Sequence, residues 1–145
     1  MSTRAIPCAT PVRTSIAVTA YLVLAMIVAQ FALAGAALFI AGNWWGAHAA
    51  LGGSVVLPLA LLLVQTRRGR PAACLRPASI GLAALYLLQV VLAALSDAPG
   101  WSALRAVHVA NAALLLSAAV HLAVRARGLV NGVPPGCSRP AQPGG

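Results

Sequence analysis

Four long runs of apolar residues, separated by short polar connections, constrain this chain more than any other feature. They cover roughly residues 15–41, 46–65, 78–95 and 103–124, and Arg105 is the one charged residue within them. At about 1.5 Å per helical residue, such runs reach or approach the roughly 30 Å thickness of a bilayer's hydrocarbon core. We therefore predict an all-α fold, a transmembrane four-helix up-down bundle.

The composition indicates a membrane environment for most of the chain. Hydrophobic residues make up 61% of the 145 residues, and the mean hydropathy is +0.90, well beyond a soluble domain. We divide the chain into a cytoplasmic segment (1–14), a transmembrane domain (15–127) and a Gly/Pro-rich, disordered cytoplasmic tail (128–145). The first run is longer than the apolar core of a signal peptide, so we expect it to remain a span.

The placement of arginine predicts the orientation in the membrane. All ten basic residues are Arg, and Asp97 is the one acid. Three basic clusters precede the first run, join the second to the third, and follow the fourth; they contain Arg4 and Arg13, then Arg67, Arg68, Arg70 and Arg76, then Arg125 and Arg127. Basic clusters mark the cytoplasmic side. We therefore predict a multi-pass protein of the bacterial cytoplasmic (inner) membrane, with both termini cytoplasmic.

The same placement bears on partners and on the cysteines. The net charge of +9 reflects topology and attraction to anionic lipid of the bilayer, so we expect no nucleic-acid partner. Cys8, Cys74 and Cys137 would all lie on the cytoplasmic side, where thiols usually stay reduced. We expect three reduced cysteines.

Two histidines within the apolar runs are the strongest candidates for a functional site. His48 lies about two residues inside the second run and His108 about five inside the fourth. Their depths therefore differ by roughly 5 Å or less. Further polar residues of the same half of the membrane are Gln30, Gln89 and Asn111. Ionisable residues inside a membrane are rare and need partners.

This cluster suggests a heme site. Helices two and four are diagonal in an up-down bundle, so His48 and His108 could act as the two axial ligands, and thus the metal ligands, of a b-type heme. Gln30, Gln89 and Asn111 would orient the imidazoles.

Two further residues complete the predicted cofactor site. Gly52, one turn after His48, would leave a slot for a flat ligand. Arg105, one turn before His108, could pair with a heme propionate or instead with lipid phosphate or Asp97.

Other functions fit the same residues. The polar side chains could be interhelical hydrogen-bond donors and acceptors in a cofactor-free accessory or assembly subunit of a larger membrane complex, or they could line a quinone site. We find no nucleophile with a base, paired carboxylates or phosphate-binding loop, and we expect no independent catalytic activity. The expected partners are the lipid bilayer and a membrane redox partner or a larger complex.

Several short segments carry a family resemblance: Gln30–Gly35, Ala47–Gly52, Leu88–Gln89 and His108–Ala112. They resemble an uncharacterised family of small four-helix bacterial integral membrane proteins over about residues 15–127. More distantly, the chain is similar to one four-helix half of heme A synthase, which implies a bundle whose histidines bind heme. Because no acidic residue lies in any predicted helix, that resemblance implies heme binding rather than the synthase reaction.

Overall fold

The described part of the chain forms five α-helices and one short 3₁₀ helix. The computed structural model describes residues 10–68, 70–96 and 98–132. The helices are α1 (Thr10–Phe39), α2 (Trp44–Ser54), α3 (Val56–Arg68), the 3₁₀ helix (Arg70–Leu75), α4 (Arg76–Ser96) and α5 (Leu104–Val130). Among these residues, four segments are long and apolar enough to cross a membrane: Pro11–Phe39, Trp44–Arg67, Ala72–Ser96 and Leu104–Val130. The predicted all-α, four-helix architecture is confirmed.

The helices extend past the apolar runs at the end of the bundle where the arginines cluster. We call this the arginine end; it holds the start of α1 and α4 and the end of α3 and α5. Residues 128–130, placed in the tail by the sequence, belong to α5. The extension is physically reasonable because Ala, Leu and Arg are good helix formers, and Arg can reach the interface along its aliphatic stem. Residues 1–9 and 133–145 lie outside the described residues.

The second span is interrupted in its middle. Helix α2 ends at Ser54 and α3 begins at Val56, just before Pro58. Proline has no N–H to bond the carbonyl four residues earlier, so it disturbs the preceding turn. The hydroxyl of Tyr86 donates a hydrogen bond to the carbonyl of Gly52 at 3.0 Å and lies 3.4 Å from that of Gly53. A side chain from α4 thus satisfies backbone acceptors beside the interruption.

This contact gives a first prediction. Tyr86→Phe removes the hydroxyl and keeps the ring, so the carbonyl of Gly52 loses its donor from α4. We expect the free energy of unfolding in detergent to fall by about 0.6–1.7 kcal/mol, the range for hydrogen bonds between membrane helices. Tyr21→Phe, at a position 40% exposed in α1, is the control. Equal stability of the two variants would contradict the prediction.

The helices pack in a ring in which consecutive spans are neighbours. Helix α1 packs against α2, α3 and α5, while α4 packs against α3 and α5. The second span (α2 and α3) and the fourth span (α5) are therefore diagonal, as expected for an up-down bundle.

The hydrophobic core lies mostly toward the arginine end. Its fully buried members include Ile16, Leu62, Leu82 and Leu122. In contrast, α2 has no buried residue at all. The opposite end, which carries both histidines and which we call the histidine end, is therefore packed less tightly than the arginine end.

Candidate functional site

The two histidines occupy equivalent positions in their helices. His48 is the fifth residue of α2 and His108 is the fifth residue of α5, so each lies about 6 Å along the axis from its helix start. Both side chains are half-buried. The matched depth predicted from the sequence agrees with these positions.

His48 is held by Gln30 of α1. The imidazole Nδ1 lies 3.1 Å from the backbone carbonyl oxygen of Gln30, and the side-chain amide of Gln30 donates to the carbonyl of His48 at 3.0 Å. Because a carbonyl oxygen only accepts, Nδ1 must carry the proton in this hydrogen bond. In the neutral ring the lone pair is then on Nε2. The ring also packs edge-on against Trp45, with centroids 5.5 Å apart.

His108 is held in the same way by Gln89 of α4. Its Nδ1 lies 3.2 Å from the backbone carbonyl oxygen of Gln89, and its Nε2 lies 3.0 Å from the side-chain amide nitrogen of Gln89. Asn111 extends the network, since its amide donates to the Gln89 Oε1 at 2.7 Å and to the carbonyl of Leu85 at 3.0 Å.

The hydrogen bond between Asn111 and Leu85 determines which groups of this network donate and which accept. The carbonyl of Leu85 only accepts, so it selects the NH₂ group of Asn111, and that group must then face the Oε1 of Gln89. The amide nitrogen of Gln89 is therefore the atom that faces the Nε2 of His108. Consequently Nε2 accepts and Nδ1 donates, the same neutral tautomer as in His48.

The histidine contacts are repeated in the two hairpins of the bundle. In each hairpin, the backbone carbonyl of a glutamine on the first span accepts from the Nδ1–H of a histidine on the second span. The glutamine precedes the histidine by 18 residues in the first hairpin and by 19 in the second. We found no long internal repeat in the sequence. The similar Gln-to-His spacing in the two hairpins is the sequence signal that could have revealed this repetition of contacts.

Gly52 does not line an open slot. A Cβ atom built on Gly52 would lie 3.4 Å from the Oε1 of Gln30. The side-chain amide of Gln30 therefore fills the space that the sequence assigned to a flat ligand. The small residue allows α2 to accept this amide, which in turn donates to His48.

The remaining predicted residues differ in burial. Asn111 is buried, and its Oδ1 has no hydrogen-bond partner among the described residues. Arg105 is exposed near the start of α5, and it already interacts with another group of the protein. His121 is exposed toward the other end of α5. The structure thus brings together Gln30 with His48 and Gly52, and Gln89 with His108 and Asn111.

A second polar group, which the sequence did not predict, lies toward the arginine end. The amide of Gln65 in α3 donates to the hydroxyls of Ser15 at 3.0 Å and Thr19 at 3.3 Å in α1. Tyr86 was also missed. Each of these residues is a single polar group in an apolar run, and their contacts depend on which helix faces are adjacent.

Cys74 departs from the expectation of reduced thiols, because it is disulfide-bonded. Its carbonyl accepts a hydrogen bond from the Nη2 of Arg125 at 3.3 Å. Cys8 and Cys137 lie outside the described residues. The expectation of three reduced cysteines is therefore wrong for Cys74.

No metal-binding cluster was found at the histidines in the described part of the chain. Within residues 10–68, 70–96 and 98–132, no group of three or more His, Cys, Asp or Glu could hold a metal ion. An open groove of about 490 Å³ lies at the arginine end, between the start of α1 and the end of α5; we call it the α1–α5 groove.

Comparisons with known proteins give a partial match to a family model and no activity. Residues 30–99, slightly less than half of the chain, match the model of a family of unknown function (DUF6220). The matched region contains Gln30, His48, Gly52 and Gln89, whereas His108 lies beyond it. No curated protein and no solved structure matches the chain, so the comparisons do not support the resemblance to heme A synthase.

Proposed function

We propose that this protein binds one b-type heme through His48 and His108 and serves in electron transfer or heme handling. The observation that carries the proposal is the common tautomer of the two imidazoles. Each Nδ1–H is donated to a glutamine carbonyl, and this leaves on Nε2 the lone pair that an axial ligand needs. When bound, heme would supply an iron that accepts and releases one electron.

The residues present fit this group. Two imidazoles suffice because a porphyrin itself supplies four nitrogens, so a cluster of three protein ligands is not required. To hold the iron, the Nε2 of His108 would give up its hydrogen bond with the side-chain amide of Gln89. The looser packing of the histidine end, where α2 has no buried residue, favours accommodation of a large flat ligand between the diagonal spans.

The other polar residues would position the two ligands. Gln30 and Gln89 would fix the ring orientation through their carbonyls, and Asn111 would hold Gln89 in place. Arg105, exposed one turn before His108, would pair with a propionate. Because the amide of Gln30 covers Gly52, Gly52 would act by admitting Gln30 and would have no direct contact with the cofactor.

The resemblance to heme A synthase adds to this proposal only the class of cofactor.

The test is the spectrum of the full chain, purified in detergent from cells supplied with heme. A reduced-minus-oxidised spectrum with b-type absorption bands is expected. A colourless preparation would overturn the proposal.

One observation favours a second candidate, a cofactor-free accessory or assembly subunit. Both ring nitrogens of His108 already have partners in Gln89, so this imidazole can serve as a link between α4 and α5 without any cofactor. A colourless protein that remains attached to a larger membrane complex would support this function. A quinone site is the third candidate, and quinone extracted from a colourless protein would favour it.

We also propose that the arginine end faces the cytoplasm, because arginine clusters are retained there. The disulfide of Cys74 opposes this orientation, since disulfides are rare in the cytoplasm.

Labelling of single cysteines decides the orientation. In a variant with all three native cysteines replaced by serine, Asn43→Cys would lie at the histidine end and Ala73→Cys at the arginine end; both positions are exposed. We expect an impermeant thiol reagent added to intact cells to label only the cysteine at position 43. Labelling only at position 73 would reverse the orientation, and permeabilised cells provide the control for reactivity.

A further inference from the structure

We propose that the α1–α5 groove binds one anionic phospholipid, with its phosphate at Arg127 and an acyl chain along the apolar wall. This inference is independent of the heme proposal, because the groove lies at the arginine end and shares no residue with the histidine contacts.

The lining of the groove suits a molecule with one charged end and a long apolar part. Ala17, Val18 and Val130 give apolar surface, while Tyr21 and Arg127 supply polar groups. The exposed fractions are 63% for Val18 and 40% for Tyr21, so the groove opens outward from the bundle. In a membrane-spanning helix, an outward face contacts lipid.

The charge around the groove favours an anion. Arg13, in the first turns of α1, donates to the carbonyl of Leu129 at 3.3 Å, so a second guanidinium lies beside the groove. This bond also satisfies one carbonyl at the C-terminal end of α5, and the guanidinium charge offsets part of the negative end of the helix dipole there. The one acid of the chain is Asp97, which in the sequence comes after the end of α4.

A phospholipid is the occupant that fits both the apolar wall and the arginine of the groove. A soluble anion would use the arginine but leave the apolar wall unfilled, and a hydrophobic helix would fill the wall but leave the arginine unpaired. Basic pockets between spans at the interface bind anionic headgroups in this way. The groove therefore selects an anionic lipid over a zwitterionic one.

The test measures which lipid remains with the purified protein. The full chain is reconstituted in equimolar phosphatidylglycerol and phosphatidylcholine, washed in detergent, and its bound lipid is quantified by mass spectrometry. We expect enrichment of phosphatidylglycerol, and Arg127→Gln should reduce this enrichment about fivefold. Arg76→Gln is the matched control, because it removes an exposed charge at the same end, outside the groove.

A second variant tests the apolar wall. Val18→Trp fills the groove without changing the charge, so it should reduce the retention of both lipids. Since Val18 is exposed, the thermal melt should match that of the unmodified protein. The proposal is overturned by equal losses in Arg127→Gln and Arg76→Gln, which would indicate diffuse attraction, or by the absence of phosphatidylglycerol enrichment. Displacement of the lipid by millimolar inorganic phosphate alone would also overturn it.

Discussion

If the protein binds heme as proposed, His48→Ala and His108→Ala should each abolish the six-coordinate, low-spin spectrum of the purified protein. The reason is that one imidazole cannot supply both axial ligands. The two variants should behave alike, because each histidine uses the same tautomer and the same kind of glutamine carbonyl. The measurement is the absorption spectrum of oxidised and reduced protein, with heme content determined separately.

His121→Ala is the control for loss of an imidazole from the same membrane protein. His121 is exposed and lies 13 residues beyond His108 in α5, about 20 Å along the axis, so its removal should leave the spectrum unchanged. Arg105→Ala should weaken heme retention without changing the axial ligands. A low-spin spectrum that survives His48→Ala would contradict the ligand assignment.

Gly52→Leu should destabilise the bundle and weaken binding of the proposed heme, because the space beside Gly52 holds the amide of Gln30. A Cβ there would already touch the Oε1 of Gln30 at 3.4 Å, and the rest of a leucine side chain would displace it. Overpacking of this kind costs about 1–3 kcal/mol. Loss of the Gln30 amide would also remove its bond to the carbonyl of His48.

Gly53→Leu is the matched control. A Cβ on Gly53 meets no described atom within 4 Å, and the gain in helix propensity should be similar at both positions. We expect Gly53→Leu to retain the stability of the unmodified protein, measured by denaturation in mixed micelles. Equal stabilities of the two leucine variants would show that Gln30 moves aside at little cost, contrary to the packing described.

Much of the histidine site could be predicted from spacing along the chain. Because both histidines lie just inside a span, a constant helical rise was enough to match the depths of His48 and His108. The interruption near Pro58 also follows from local chemistry, since a missing N–H acts on its own helix. Which glutamine holds which imidazole, and through which atoms, did not follow, because this depends on the rotation of one helix about its axis relative to the next.

Gly52 shows why the site could not be completed from the sequence. The i to i+4 spacing correctly placed a small residue beside His48, but the same pattern describes an open slot and a slot filled from a neighbouring helix. The Gln30 amide makes the difference, and it lies on α1. The oxidation state of Cys74 was also predicted wrongly, because the expectation of a reduced thiol depended on topology alone.

The sequence by itself determined that four helices span a membrane, because apolar length and charge placement act on each segment separately. Only the tertiary structure decided which faces of those helices meet. In α1, Val18 is 63% exposed while Val23 is 1% exposed, although the two residues are chemically identical. The lipid and the protein interior are equally apolar, so hydrophobicity does not determine which face of a helix turns toward lipid and which toward another helix. Hydrogen bonds such as those of Gln30 and Gln89 do determine this, and they form only when two helices are side by side.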